Sequence, residues 1–184
     1  MKVRDIFSDD FYRATGIKLK FSFNCIKLIM FMHGLKYVLI LRIMQNKKGI
    51  MCKVLNLYRF LLGRKYGIEI LPETKIGAGF RLRHPYNITI SPDAVIGKNV
   101  NVNKGATIGA SPGKNGGGAP IIGDRVAIGI NATVIGKITI GNDVVIAPNA
   151  MVNIDIPDHS IVIGNPCFIK HKLNASVGHV DFCV

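Results

Sequence analysis

His84 is the side chain in this sequence best suited to accept a proton, and Glu69 is the carboxylate best spaced to assist it. The imidazole sits in Phe80-Arg81-Leu82-Arg83-His84-Pro85. Leu82 belongs to an inward-facing aliphatic series, so the residue two positions on falls near a corner. Arg81 and Arg83 on either side argue against a core position for the ring. Glu69 lies about one turn of the repeat earlier. A carboxylate bonded to one imidazole nitrogen fixes the tautomer and makes the other nitrogen a better base. Of the five histidines (His33, His84, His159, His171 and His179), only His84 falls within the repeat. That leaves no three-histidine metal set.

What must position such a pair is a period of six. From Ile122 an aliphatic residue recurs as Ile128, Val134, Ile140, Ile146 and Val152, with compact partners at Val126, Ala132, Ile138, Val144 and Ala150. The rhythm also runs through Ile70, Ile76, Leu82 and Ile88, shifts by two, and continues as Ile90, Ile96, Val102 and Ile108. Neither a helix nor an alternating strand has this period. Hexads fit a triangular coil, in which about 18 residues complete one turn and stacked turns pair as parallel strands about 4.8 Å apart. Between Ile108 and Ile122 the step fails. Residues 109–120 read Gly-Ala-Ser-Pro-Gly-Lys-Asn-Gly-Gly-Gly-Ala-Pro and should loop out of the coil towards a binding face.

The charge lies elsewhere. The net charge is +13, and residues 1–66 hold 14 Lys/Arg against 3 Asp/Glu. Apolar residues at helical spacing in 17–63, broken at Gly34 and Asn46–Gly49, predict three short helices that cap the first coil. The same basic, amphipathic stretch could rest on anionic lipid. The apolar run Leu28–Leu41 is interrupted by His33 and Lys36 and is too short to span a bilayer. The N-terminus is too polar for a signal peptide. No nucleic-acid motif accompanies the charge. Cys25, Cys52, Cys167 and Cys183 form no CxxC pair and read as thiols of a reducing cytosol. The expected layout is a helical region at 1–66, a coil domain at 67–172 with its loop at 109–120, and a tail at 173–184.

The hexads resemble the hexapeptide-repeat acyltransferases, which implies a left-handed parallel β-helix. Gly67-Ile68-Glu69-Ile70 followed by His84, and Ile154-Asp155-Ile156-Pro157-Asp158-His159-Ser160 with Gly164-Asn165-Pro166, are similar to the serine acetyltransferase branch. That resemblance implies a His84–Glu69 catalytic dyad, with Glu69 standing where the branch has Asp, and a structural or cofactor-adjacent His159. It also implies an acetyl-CoA co-substrate near Gly109, Gly129, Ile130, Ala147, Pro148 and Asn153, with Lys170 and Lys172 near its phosphates. No metal is called for. Phe168 and His171 stand where family members often carry arginine.

Two departures concern the acceptor. Serine acetyltransferases have Asp immediately before the histidine, where this chain has Arg83, and Arg-His at the end of the loop, where it has Gly118-Ala119. Like charge would face serine's ammonium. With Arg83 and Arg81 as substrate-binding residues, the pattern looks closer to the O-acetyltransferases of capsule and exopolysaccharide assembly, which act on sugar hydroxyls, some of them lipid-linked. The expectation is therefore an acetyl-CoA-dependent sugar O-acetyltransferase, cytoplasmic or at the inner face of the membrane. The alternatives are a serine O-acetyltransferase and a non-catalytic scaffold. The resemblance further implies a homotrimer with cofactor sites between neighbouring prisms.

Overall fold

The computed structural model describes residues 3–46, 49–112 and 117–184. Residues 113–116 of the predicted loop lie outside the described residues. The hexads form a parallel β-helix with three faces. Face 1 stacks β1 (Ile68–Ile70), β4 (Ile88–Ile90), β7 (Thr107–Gly109), β10 (Thr133–Ile135) and β13 (Met151–Val152). Face 2 stacks β2 (Lys75–Ile76), β5 (Val95–Ile96), β8 (Ile121–Ile122) and β11 (Thr139–Ile140). Face 3 stacks β3 (Arg81–Arg83), β6 (Asn101–Asn103), β9 (Ala127–Ile128), β12 (Val144–Ile146) and β14 (Ser160–Ile163), then closes with the antiparallel β15 (Phe168–His171). The register is that of the repeat: Ile128 pairs with Val102 on one side and with Ile146 on the other. From Ile122 to Val152 every ladder residue is buried, and with Val126, Ala132, Val144 and Ala150 they form one continuous aliphatic core. Ile76 is only partly covered.

The three helices expected within 17–63 are α2 (Phe23–Phe31), α3 (His33–Asn46) and α4 (Ile50–Tyr66), and among the described residues a further helix, α1 (Val3–Thr15), precedes them. α1 is polar overall, and beside its apolar Phe7 and Phe11 it also buries charge. Asp10, Arg13 and, from α3, Arg42 are all buried. Arg42 donates from Nε and Nη2 to the Asp10 carboxylate at 2.8 and 3.1 Å, and from Nη1 and Nη2 to the carbonyls of Ile76 and Gly77 at 2.6 Å each. The Phe80 N–H donates to Asp10 Oδ1 at 2.8 Å. One ion pair thus joins two helices to the first coil. α3 packs directly on β3 because Gly34 has no side chain: a Cβ there would lie 2.8 Å from the Leu82 carbonyl oxygen.

The tail runs back over face 3. Asp143 accepts from the N–H groups of Ala175 and Ser176 at 3.0 and 2.9 Å, from Ser176 Oγ at 2.6 Å, and pairs with His159 Nδ1 at 2.7 Å. Ala175 and Val180 pack on Ala127 and Val145. Asn101 Nδ2 donates to the His179 carbonyl at 2.6 Å, and Asn99 exchanges two bonds with the Val184 backbone. Burial alone would raise the Asp143 pKa, but the donors from Ser176, His159 and Ala175 outweigh it and hold the group down to about 2.

A carboxylate depressed in the folded state stabilises above its unfolded pKa, and that contribution is lost as pH falls through its folded value. Tail docking should therefore be constant from neutral pH to about 4 and fail between about 4 and 2. Limited proteolysis of the tail across that range measures it. Release already at pH 6 would mean that protonation elsewhere, not at Asp143, undocks it.

Candidate active site

The shift of two residues seen in the repeat is a physical bulge at the corner between β3 and β4. Residues 84–87 form this corner, and both His84 (φ 50°) and Asn87 (φ 53°) adopt left-handed backbone. The corresponding corners below have one such residue each: Gly105 (φ 72°), Asn131 (φ 56°) and Asn149 (φ 60°). Hydrogen bonds stack these corners into one edge. The Gly105 N–H donates to the Tyr86 carbonyl at 2.8 Å, Asn131 to Lys104 at 3.0 Å, and Asn149 to Ile130 at 2.9 Å. The longer first corner lifts His84 from the wall, and the residue is exposed.

His84 borders two hollows. A cavity of about 450 Å³ lies between the helices and β3, lined among others by Met32, His33, Arg81, Arg83, His84 and Tyr86. A groove of about 320 Å³ follows the edge on the other side, where Arg83 and His84 are joined by Gly129, Ile130, Pro148 and His179. Ala127, Val145 and Ile146 give the groove an apolar wall. Aromatic packing shapes the cavity. His33 stacks on Tyr66 at 4.5 Å between ring centroids, with Nδ1 3.1 Å from its hydroxyl, and Tyr66 meets Tyr86 edge-on at 5.5 Å. Burial lowers the pKa of Arg81, and neighbouring Arg83 lowers it further, with Asp181 of the tail opposing.

Of the residues singled out from sequence, the structure brings together His84, Arg81, Arg83, Gly129, Ile130 and Pro148, with Ala147 in the same corner as Pro148. Glu69 is exposed on β1, lines a separate groove beneath α4 with Arg59, Arg64 and Thr89, and makes no hydrogen bond to His84. Gly109 ends β7 and Asn153 follows β13, so both lie on the edge between faces 1 and 2, away from His84. Lys170 and Lys172 lie on and just after β15. His159 is bound to Asp143, a structural contact. The described flanks of the 109–120 loop leave the edge between faces 1 and 2 together, with Ser111 and Gly118 exchanging backbone bonds at 3.0 Å. The sequence reading missed Tyr86, His33 and His179. Tyr86 shares the corner with His84, its N–H donating to the His84 carbonyl at 2.8 Å, whereas His33 reaches the site only through the packing of α3. His179 arrives on a tail with no repeat to signal its path.

The hexads that build this parallel β-helix include residues 119–153, which match the family described as bacterial transferase hexapeptide (six repeats). Curated relatives that match part of the chain include serine acetyltransferases. The chain is 38% identical over 101 residues to serine acetyltransferase 2 of Arabidopsis thaliana, a match covering 55% of this chain and 31% of the relative. It is also 38% identical over 99 residues to the serine acetyltransferase of Helicobacter pylori (strain ATCC 700392 / 26695), covering 54% and 58%. The matches thus span between about a third and three-fifths of these curated relatives' lengths.

Among solved structures, soybean serine acetyltransferase apoenzyme superposes with a TM-score of 0.77 at 23% identity, over 92% of this chain and 69% of that one. Serine acetyltransferase isoform 3 of Entamoeba histolytica, in complex with cysteine, gives 0.69 at 28% identity, over 96% and 64%. A serine acetyltransferase in complex with CoA gives 0.74 at 23% identity, over 92% and 70%.

Proposed function

We propose that this chain transfers an acetyl group from acetyl-CoA to a hydroxyl of a small acceptor, with His84 as general base. The observation that carries the reading is His84's position between two hollows, one for each substrate. Direct transfer requires the base to face the acceptor while the donor lies within reach of the same hydroxyl. The edge groove suits the donor, because its apolar wall of Ala127, Ile130, Val145 and Pro148 fits the slender arm of coenzyme A. Arg83 and His179 offer polar contacts at its margin.

In this scheme His84 takes the proton of the acceptor hydroxyl as its oxygen attacks the thioester carbonyl. The carbon–sulfur bond breaks, and the imidazolium returns the proton to the departing thiolate. Backbone N–H groups at the coil–loop junction of a neighbouring copy, in the trimer proposed below, would stabilise the developing oxyanion. Glu69 enters as the partner only if its side chain turns from the groove under α4. A Glu69→Gln variant with unchanged turnover would remove it from the mechanism.

Two acceptors have support. The relatives named serine acetyltransferase favour serine. The second reading, a sugar hydroxyl in surface polysaccharide synthesis, is favoured by the roughly 450 Å³ cavity and by Tyr86, 47% exposed, which offers an aromatic face in its wall. Arg83 beside the base also opposes serine's ammonium. A mass-spectrometric screen for acetyl transfer across L-serine, simple sugars and nucleotide sugars separates them. Turnover of none would support the scaffold reading instead.

We further propose a homotrimer, because the Ser111–Gly118 bridge stands on a different edge from His84 and would meet a histidine edge only on a neighbouring copy. Sedimentation of a fully active monomer would contradict this. Residues 1–66 are proposed to rest on anionic lipid. Phe23, Ile26, Met30 and Phe31 of α2 and Ile50, Met51, Val54, Leu57 and Leu61 of α4 are exposed among lysines and arginines. No helix among the described residues is long and apolar enough to cross a membrane. Co-sedimentation with phosphatidylserine liposomes should occur at low salt and vanish at high salt. Absence of binding at low salt would leave the helices as a cap.

A further inference from the structure

We propose that the cavity between the helices and β3 receives an acceptor bearing a negative charge, with Arg81 and Arg83 as its counter-ions. The inference rests on the acetyl-transfer reading above and names the acceptor's class: a phosphorylated or carboxylated sugar.

Arg81 and Arg83 are alternate residues of one strand, so their side chains leave the same side of face 3, with inward Leu82 between them. Both are half-buried, yet neither side chain has a hydrogen-bond or ion-pair partner among the described residues. The fold's other large buried guanidiniums are treated differently. Arg42 is paired with Asp10 and two carbonyls; Arg59 is bonded to Asn56, Tyr37 and the Ile70 carbonyl; Arg13 is bonded to Gly79, Asn99 and Asn101. A guanidinium offers five donors; those of Arg81 and Arg83 stay open to solvent at the cavity, free for an incoming anion, whereas in Arg13 only Nη1 is left buried without a partner.

Among the described residues, nothing lining the cavity cancels the two charges. Their neighbours in the next turn are Asn101 and Asn103, both neutral and both already engaged, with the His179 and Ile128 carbonyls respectively. The cavity lining contains no carboxylate. The carboxylate whose charge acts on Arg81 is Asp181, exposed on the tail.

Two guanidiniums at alternate strand positions are spaced by about 7 Å. That is the span over which paired forks grip a phosphate or pyrophosphate, the anions whose geometry guanidinium matches best. His84 follows Arg83 directly, so an anion held there brings the adjacent sugar hydroxyls to the base, while Tyr86 covers the ring. An ammonium-bearing acceptor would be repelled by the same pair.

The test is calorimetric titration of the full chain with glucose 1-phosphate, glucuronate and glucose. One or both charged sugars should bind at least tenfold more tightly than glucose, and the two anions report separately whether phosphate or carboxylate is preferred. Raising salt should weaken the charged sugar alone, a measurement that needs no variant. Arg81→Gln should cost at least tenfold in charged-sugar affinity, and Arg81→Lys should recover part of it. Equal affinity for glucose and the charged sugars, no binding of either anion, or unchanged affinity in Arg81→Gln would each overturn the inference. Acetyl-CoA titrated into the same protein reports on the acetyl-transfer reading by itself. Binding there without preference for a charged sugar sinks only the acceptor class, whereas no acetyl-CoA binding sinks the reading beneath it.

Discussion

Replacing His84 with Asn should lower the rate of acetyl transfer by about 10²- to 10⁴-fold, the range associated with loss of a positioned general base. Asparagine is the informative substitution because position 84 has φ 50°, a left-handed conformation that Asn tolerates and most other residues resist. The side chain is exposed and makes no hydrogen bond, so little stability rests on it. The Asn variant should keep the parent's unfolding midpoint and its affinity for acetyl-CoA while losing turnover. His84→Ala would confound the loss of the base with corner strain. Thiol release at saturating acetyl-CoA and acceptor measures the effect. A variant within threefold of the parent would assign the proton transfer to another group, with His179 across the groove the first to examine.

Asp10→Ala should be the most damaging single change to stability, by about 3–5 kcal/mol, because it leaves a buried arginine without its counter-charge. Arg42 is 2% exposed and Asp10 fully buried, so the pair is cut off from bulk solvent. The Phe80 N–H loses its acceptor at the same time. The damage reaches function because this pair fixes α1 and α3 to the first coil, and α3 carries His33 and Gly34 into the wall of the acceptor cavity. Urea unfolding of the variant should show the shift. Asp10→Asn, which keeps an oxygen for Phe80 and Arg42, should lose less. A shift below 1 kcal/mol for Asp10→Ala would mean the helices are held by their apolar contacts alone.

The contrast between these two residues shows what can be read from a linear sequence. The ladder from Ile122 to Val152 is legible because a solenoid's core contacts are periodic: each residue meets its equivalent one turn away. The break at Ile88/Ile90 is legible for the same reason, as a departure from a strict rule, and it marks the bulged corner that presents His84. Asp10 and Arg42 obey no period. Their pairing depends on how α1 and α3 cross, which no local pattern encodes.

The site divides along the same line. Gly129, Ile130 and Pro148 follow from the stacking of corners beneath His84. Gly109 and Asn153 carry equally good corner signatures but belong to another edge, and assigning an edge requires counting the two-residue bulge and the loop correctly. Glu69 has the right spacing for a partner, but its strand sits on face 1 and turns it towards α4.

The tail held by Asp143, Asn101 and Asn99 has a consequence for how the molecule comes apart. A solenoid whose turns touch only their neighbours can fray from its free end one turn at a time, like a zipper. Here residues 175–184 lie across several turns at once and contact α1 at Tyr12 through Phe182. The last part of the chain is thereby tied to the first, so the final coil cannot open without also releasing contacts at the opposite end. Such a clasp replaces stepwise fraying by a single cooperative opening, and amide exchange in β12 and β14 should track that in β3 and β6 until the clasp is cut.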